Sequence, residues 1–192
     1  MRYLVKSRRR IIILEIFSKG LIMAVMKVRT VPDPVLREKC KKISRIDKSI
    51  LKLVDDMFDT MYEYNGVGLA APQVGVPLRL VVIRMPEDDA EEIVLINPEI
   101  VKKSGEREVT EACLSVPGYS GLVKRAEKVT IKGRDVTGKE IRYKGEGLLA
   151  QAFEHETDHL SGTLYTDLIE SDDKLFKPSD AGESSSEEEF QG

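Results

Sequence analysis

The stretch that most constrains this chain is His155-Glu156-Thr157-Asp158-His159, which sets two imidazoles four residues apart with an acid beside the first. On an α-helix such residues share a face and lie close enough to hold one metal ion, and a Glu following the first His can reach a water at that ion. The spacing outlines a hydrolytic centre. These are the only histidines in the chain. Residues 148–162 are predicted to form the helix, with Leu148 and Ala152 on the His155 face and Leu149, Phe153 and Leu160 on another. Apolar groups on more than one side predict a buried helix. Burying two imidazoles and a carboxylate is costly unless they are paired or coordinated, which favours metal ligands over satisfied core histidines.

Two protein ligands are too few, because a catalytic zinc-type site takes three plus a water. Cys113 is the best third candidate, in the short apolar run Glu111-Ala112-Cys113-Leu114-Ser115-Val116 closed by the turn signal Pro117-Gly118. At this point three ordered stretches stand together: Gly66-Val67-Gly68-Leu69-Ala70-Ala71-Pro72-Gln73, Glu111-Ala112-Cys113-Leu114-Ser115 and His155-Glu156-Thr157-Asp158-His159. They resemble the three motifs of the peptide deformylases, over roughly residues 26–167. Val31-Pro32-Asp33-Pro34-Val35-Leu36-Arg37 resembles the opening segment of that family.

A chain of 192 residues suits one domain with a sizeable core. A net charge of -3 argues against a nucleic-acid binder driven by overall positive charge. Two cysteines make no disulfide framework, and a thiolate ligand needs a reducing compartment, so the protein is expected to be cytoplasmic. Residues 1–25 begin like a secretion signal, with Arg8-Arg9-Arg10 before Ile11-Ile12-Ile13-Leu14, but Glu15 and Lys19 break an apolar run too short to span a bilayer. They are expected to be an irregular extension, or to precede a true start at Met23 or Met26; a transit-peptide reading would make the protein organellar. Residues 26–169 form the expected catalytic domain. Residues 170–192, rich in Ser, Asp and Glu, read as a disordered acidic tail.

Residues 49–64 carry apolar side chains at 50, 54, 57, 58 and 61, which predicts an amphipathic helix ended by Asn65-Gly66. Residues 78–85 and 92–96 read as strands, as do 121–136 and 139–144, the last two joined by a turn at Thr137-Gly138. A helix, several antiparallel strands and a late buried helix predict an α+β fold, with antiparallel β-sheets packed around the helix that carries the two histidines.

With Cys113, His155 and His159 as metal ligands, Glu156 is the natural general base and, later, the acid that protonates the leaving amine. Attack on a carbonyl also needs donors for the developing oxyanion. The Gln73 amide and the Leu114 backbone N–H can donate, and the resemblance implies those roles. Gly66 and Gly68 suit close approach of another backbone, and the resemblance implies a substrate strand pairing along Val67 and Gly68. The substrate's first side chain, a methionine by the same resemblance, enters an apolar pocket whose candidate wall is Leu148 and Ala152, with Val109. Ala112 departs from the glycine usual in the family and adds a methyl group beside the ligand. Asp158 is read as an ion-pair partner of Arg125, with Glu111 sharing the network.

The resemblance implies removal of the formyl group from the formyl-methionine of new polypeptides, with one divalent ion, ferrous iron, as cofactor; zinc, nickel and cobalt suit the same ligands. The implied partners are N-formyl-methionyl nascent peptides and the ribosome, with no specific nucleic acid and no membrane. Family members often carry a basic carboxy-terminal helix, whereas this chain turns acidic soon after Asp167, which speaks against docking through such a helix. Two rivals stand beside this reading. One is an endopeptidase of the His-Glu-x-x-His class, with a third ligand further downstream. The other is a non-catalytic module in which Cys40, Cys113, His155 and His159 close a structural zinc site.

Overall fold

The computed structural model describes residues 25–87 and 89–178. Helix α1 spans Lys48–Glu63 and starts where the Asp47 side chain accepts hydrogen bonds from the Ser49 and Ile50 N–H groups. It stops as Asn65 takes a positive φ of 52°. Its buried face is Ile50, Val54, Met57, Phe58 and Met61, the predicted stripe.

The strands are β1 (Gly68–Ala70), β2 (Leu80–Ile83), β3 (Ile93–Ser104), β4 (Arg107–Cys113), β5 (Val116–Arg125), β6 (Lys128–Arg134), β7 (Glu140–Glu146) and β8 (Leu175–Phe176), with helix α2 (Gly147–His159) between the last two. All pair antiparallel, in a five-stranded sheet of order β1-β2-β3-β6-β7 and a three-stranded sheet of order β4-β5-β8. The fold is α+β, as predicted. Strand β2 is buried along its whole length because both faces of the large sheet are covered. Val81 and Ile83 join the α2 residues Ala150, Ala152 and Phe153 in one cluster. Leu80 and Val82 join Ile50, Val54, Met57 and Phe58 of α1 in a second. A third, with Val109, Val116, Val123, Leu164 and Tyr165, lies under the small sheet.

Two expectations need correction, and one strand goes unpredicted. The predicted strand 121–136 is two strands, broken at Ala126-Glu127, because the chain there leaves the small sheet for the large one. The break is held by α2, whose Glu154 carboxylate accepts the Ala126 N–H at 2.8 Å. Strand β4 was not read as a strand, because its period-two pattern is concealed by Glu111, a charged side chain at a buried position. The predicted acidic tail is structured at its start, where β8 pairs Ser120 with Phe176 and Gly121 with Leu175. Lys124–Glu170 and Lys174–Glu108 ion pairs fasten that segment. The rest of the tail and the extension before Val25 lie outside the described residues.

Helix α2 approaches β7 closely at Gly145, where a Cβ would stand 2.8 Å from the Phe153 ring and 3.0 Å from the Ala150 nitrogen. Phe153, fully buried, is the wedge that fixes this approach. Phe153→Ala is expected to cost about 3–5 kcal/mol of stability, measured as a lower urea midpoint at unchanged slope. A cost under about 1 kcal/mol would show that α2 is anchored by something else.

Candidate metal centre and active site

Helix α2 carries His155 and His159 on adjacent turns, with ring centroids 4.9 Å apart at an interplanar angle of 81°. Cys113 arrives from β4, where the register shifts between Ala112 and Cys113 and the strand turns back so that Cys113 opposes Val116. The shift brings Cys113 Sγ to 3.3 Å from His159 Nε2. One ligand atom from each of Cys113, His155 and His159 falls within 4.8 Å of the others. A thiolate and two imidazoles make a donor set that suits zinc and other divalent transition metals. Beside them, Glu156 Oε2 is buried with no hydrogen-bond partner among the described residues, as a group that works on a bound molecule would be.

His155 is set from behind. His155 Nδ1 lies 2.8 Å from Glu111 Oε2, which leaves Nε2 for a metal. Glu111 in turn accepts from Arg125 Nε at 2.7 Å and Nη2 at 2.9 Å, and Arg125 Nη1 donates to Asp158 Oδ2 at 2.7 Å. This is the network expected from the sequence. Burial alone would raise the Glu111 carboxyl, but hydrogen bonds from His155 and Arg125 outweigh it and hold the pKa down to about 2. Burial disfavours the charged form of His155 as well, yet hydrogen bonds with Cys113 and Glu111 raise its pKa. His159 is lowered by burial and by the neighbouring His155 and Arg125, which keeps it neutral and fit to ligate. Glu156 is pushed up to about 7 chiefly by burial, a poise suited to exchanging protons near neutrality. Its carboxylate packs on Gly68, where a Cβ would stand only 2.5 Å from Oε1, so this glycine is required by close approach.

These groups open into a cleft of about 710 Å³. Strands β1 and β4 are the outer strands of their respective sheets, and the cleft is lined from both: Gly66, Val67 and Gly68 on one side, Ala112, Cys113 and Leu114 on the other. Gln73, Leu148, Ala152, His155 and Glu156 also line it, while His159 is buried outside the lining. Val109 does not belong there. It points into the apolar cluster with Val116, Val123, Leu164 and Tyr165, while its neighbour Thr110 lines the cleft, because successive residues of a strand face opposite ways.

Sequence reasoning missed Gln151, Tyr64, Tyr119 and Ser115. Gln151 stands one turn before His155, a spacing that could have revealed it, and donates to the Thr110 carbonyl at 3.0 Å. The closed four-ligand zinc site is overturned. Cys40 is packed in the core cluster with Val81, Leu95 and Leu160, away from the three grouped ligands, and burial pushes its thiol up to about 11.

The polypeptide deformylase family model matches residues 25–175. The peptide deformylase of Dehalococcoides mccartyi strain CBDB1 is 60% identical over 153 residues, covering 80% of this chain and 91% of that protein. That of Halothermothrix orenii is 51% identical over 147 residues, covering 77% and 95%. Among solved structures, a peptide deformylase from Legionella pneumophila superposes with a TM-score of 0.76 at 51% identity, covering 79% of this chain and 89% of that one. One from Synechococcus elongatus in complex with actinonin gives 0.76 at 38% identity, covering 80% and 85%. With the family model spanning residues 25–175 and a relative 60% identical over most of its length, this chain belongs to the polypeptide deformylase family.

Proposed function

We propose that this protein hydrolyses the formyl amide at the amino terminus of formyl-methionyl polypeptides, releasing formate and a free amino terminus. The observation that carries the reading is the grouping of Cys113, His155 and His159 with one another, with the buried carboxylate of Glu156 on the same helix, at a cleft between two sheet edges. Membership of the family supports the same reaction. It also makes the protein metal-dependent, with Cys113, His155 and His159 as the proposed holders of one divalent ion. When bound, such an ion supplies Lewis acidity and lowers the pKa of a water to about 7.

The chain's own groups do the rest. The peptide backbone lies along the free edge of β1 at Val67 and Gly68, facing Ala112 across the cleft, an edge-addition mode that reads main chain rather than sequence. Leu148 and Ala152 receive the methionine side chain. Gln73 Nε2 and the Leu114 N–H point donors at the carbonyl oxygen, so that negative charge developing there meets dipoles already in place. Glu156 takes the proton of the attacking water and delivers it to the amine nitrogen as the C–N bond breaks. Gly68 keeps that carboxylate within reach of both substrate backbone and water.

The ion proposed is ferrous iron, with zinc, nickel and cobalt as substitutes. The catalytic domain is proposed to begin near Met26, with 1–25 as an extension. The site of action is the cytoplasm, where Cys113 stays reduced, and the polypeptides are met as they leave the ribosome. Among the described residues no helix is long and apolar enough to cross a membrane.

Glu156→Gln is expected to lower formate release from a formyl-methionyl peptide by at least ~10²-fold, with metal content unchanged by elemental analysis. Metal loss in that variant would make Glu156 a ligand instead. Arg125→Ala leaves the buried Glu111 and the partly exposed Asp158 without their cation and is expected to cost about 3–5 kcal/mol, read by thermal or urea unfolding. An unchanged midpoint would show the network to be dispensable. Finally, one metal-free preparation is loaded separately with iron, nickel and zinc and exposed to air. The iron form is expected to lose activity while the mass of the peptide containing Cys113 rises by oxygen, and the nickel and zinc forms are expected to persist. Equal decay of all three would place the vulnerable group elsewhere.

A further inference from the structure

We propose that Ser115 is a positioning residue for Gln73, resting on the reading of Gln73 as a donor to the oxyanion. The Gln73 side chain is buried, and its Oε1 accepts the Ala70 N–H at 2.8 Å. Because an N–H must meet an oxygen, this bond fixes which end of the carboxamide is nitrogen and turns Nε2 towards the cleft. Nε2 then has two partners, Cys113 Sγ at 3.4 Å and Ser115 Oγ at 3.3 Å.

Ser115 is fully buried, and among the described residues Gln73 is the hydrogen-bond partner of its hydroxyl. Its backbone is clamped on both sides: its carbonyl accepts the Val31 N–H at 2.9 Å, and its own N–H donates to Cys113 Sγ at 3.4 Å. It sits in the tight return from β4 to β5, so the hydroxyl is held by main chain rather than by a flexible stem. A buried hydroxyl placed so firmly against one amide has a directional effect. It supplies an acceptor that does not depend on the thiolate and so keeps the amide plane fixed when the charge on Cys113 is shared with a ligand.

The contact to Ser115 Oγ is longer than the 2.9–3.0 Å at which N–H···O bonds cluster, so it is weak. An N–H held this way can exchange its partner for a shorter, charge-assisted bond to an oxyanion at little cost. Ser115 therefore aims the donor without trapping it.

The test compares Ser115→Ala, Gln73→Ala and the double variant as metal-loaded full-length enzymes. Ser115→Ala is expected to lower kcat by about 10-fold, a fraction of the ~10²–10³ typical for losing an oxyanion donor outright, with KM within about twofold and metal content unchanged. In the Gln73→Ala background the same change is expected to cost under about twofold, because its target is gone. Ser115→Cys, of similar shape and weaker as an acceptor, is expected to fall between, and it carries the test if the alanine variant folds poorly. In the zinc-loaded protein the Gln73 side-chain amide signals, assigned by their absence in Gln73→Ala, are expected to shift in Ser115→Ala. A full loss from Ser115→Ala in the Gln73→Ala background, unmoved amide signals, or loss of metal would overturn the proposal. A Gln73→Ala enzyme with undiminished kcat sinks the donor reading of Gln73 and this proposal with it; a slow Gln73→Ala enzyme beside a fully active Ser115→Ala one sinks only the role of Ser115.

Discussion

The Arg125 guanidinium, buried between Glu111 and Asp158, is the interaction on which the rest of the structure depends. It joins three elements: β5 supplies the cation, β4 one carboxylate and α2 the other. A pair buried to this extent gains little net stability over an apolar packing of equal volume, but losing one partner is severe. Its directional effect reaches further. The second oxygen of Glu111 is left to orient His155, so the arrangement that ties the small sheet to α2 also sets the tautomer of an imidazole in the proposed metal centre.

Two sheets meeting at their edges explain the shape of the cleft. An exposed sheet edge is ordinarily a hazard, because its unpaired backbone groups invite other chains. Here β1 is only three residues long, and β4 ends in a register shift, so neither offers a long template. The opposed edges leave room for one extended segment, and the proposed substrate is a peptide's first few residues.

Much of this was legible in the sequence. The period of 3.6 gave α1 almost to the residue, since Ile50, Val54, Met57, Phe58 and Met61 have no competing demand on them. The grouping of Cys113 with the two histidines was legible because metal ligands leave few residue types to choose from. What escaped notice did so where a residue serves two neighbours at once. Glu111 looked polar and hid a strand, because its carboxylate is neutralised by Arg125, which is close in space. Residues 121–136 looked continuous, because only Glu154, on a distant helix, reveals that the chain changes sheets at Ala126. Val109 was assigned to the pocket wall by its apolar character alone, and the alternation along β4 turned it the other way.

Gly68 carries a consequence for how such a site can change. On the proposed reading its backbone pairs with the substrate, while the empty space where a side chain would be is filled by the carboxylate of Glu156. Peptide recognition and proton transfer therefore occupy one residue's volume. A variant that tightens the grip on the backbone by moving β1 inward also crowds the proton carrier, and one that frees the carboxylate loosens the edge. The enzyme cannot tune its affinity and its turnover separately at this position.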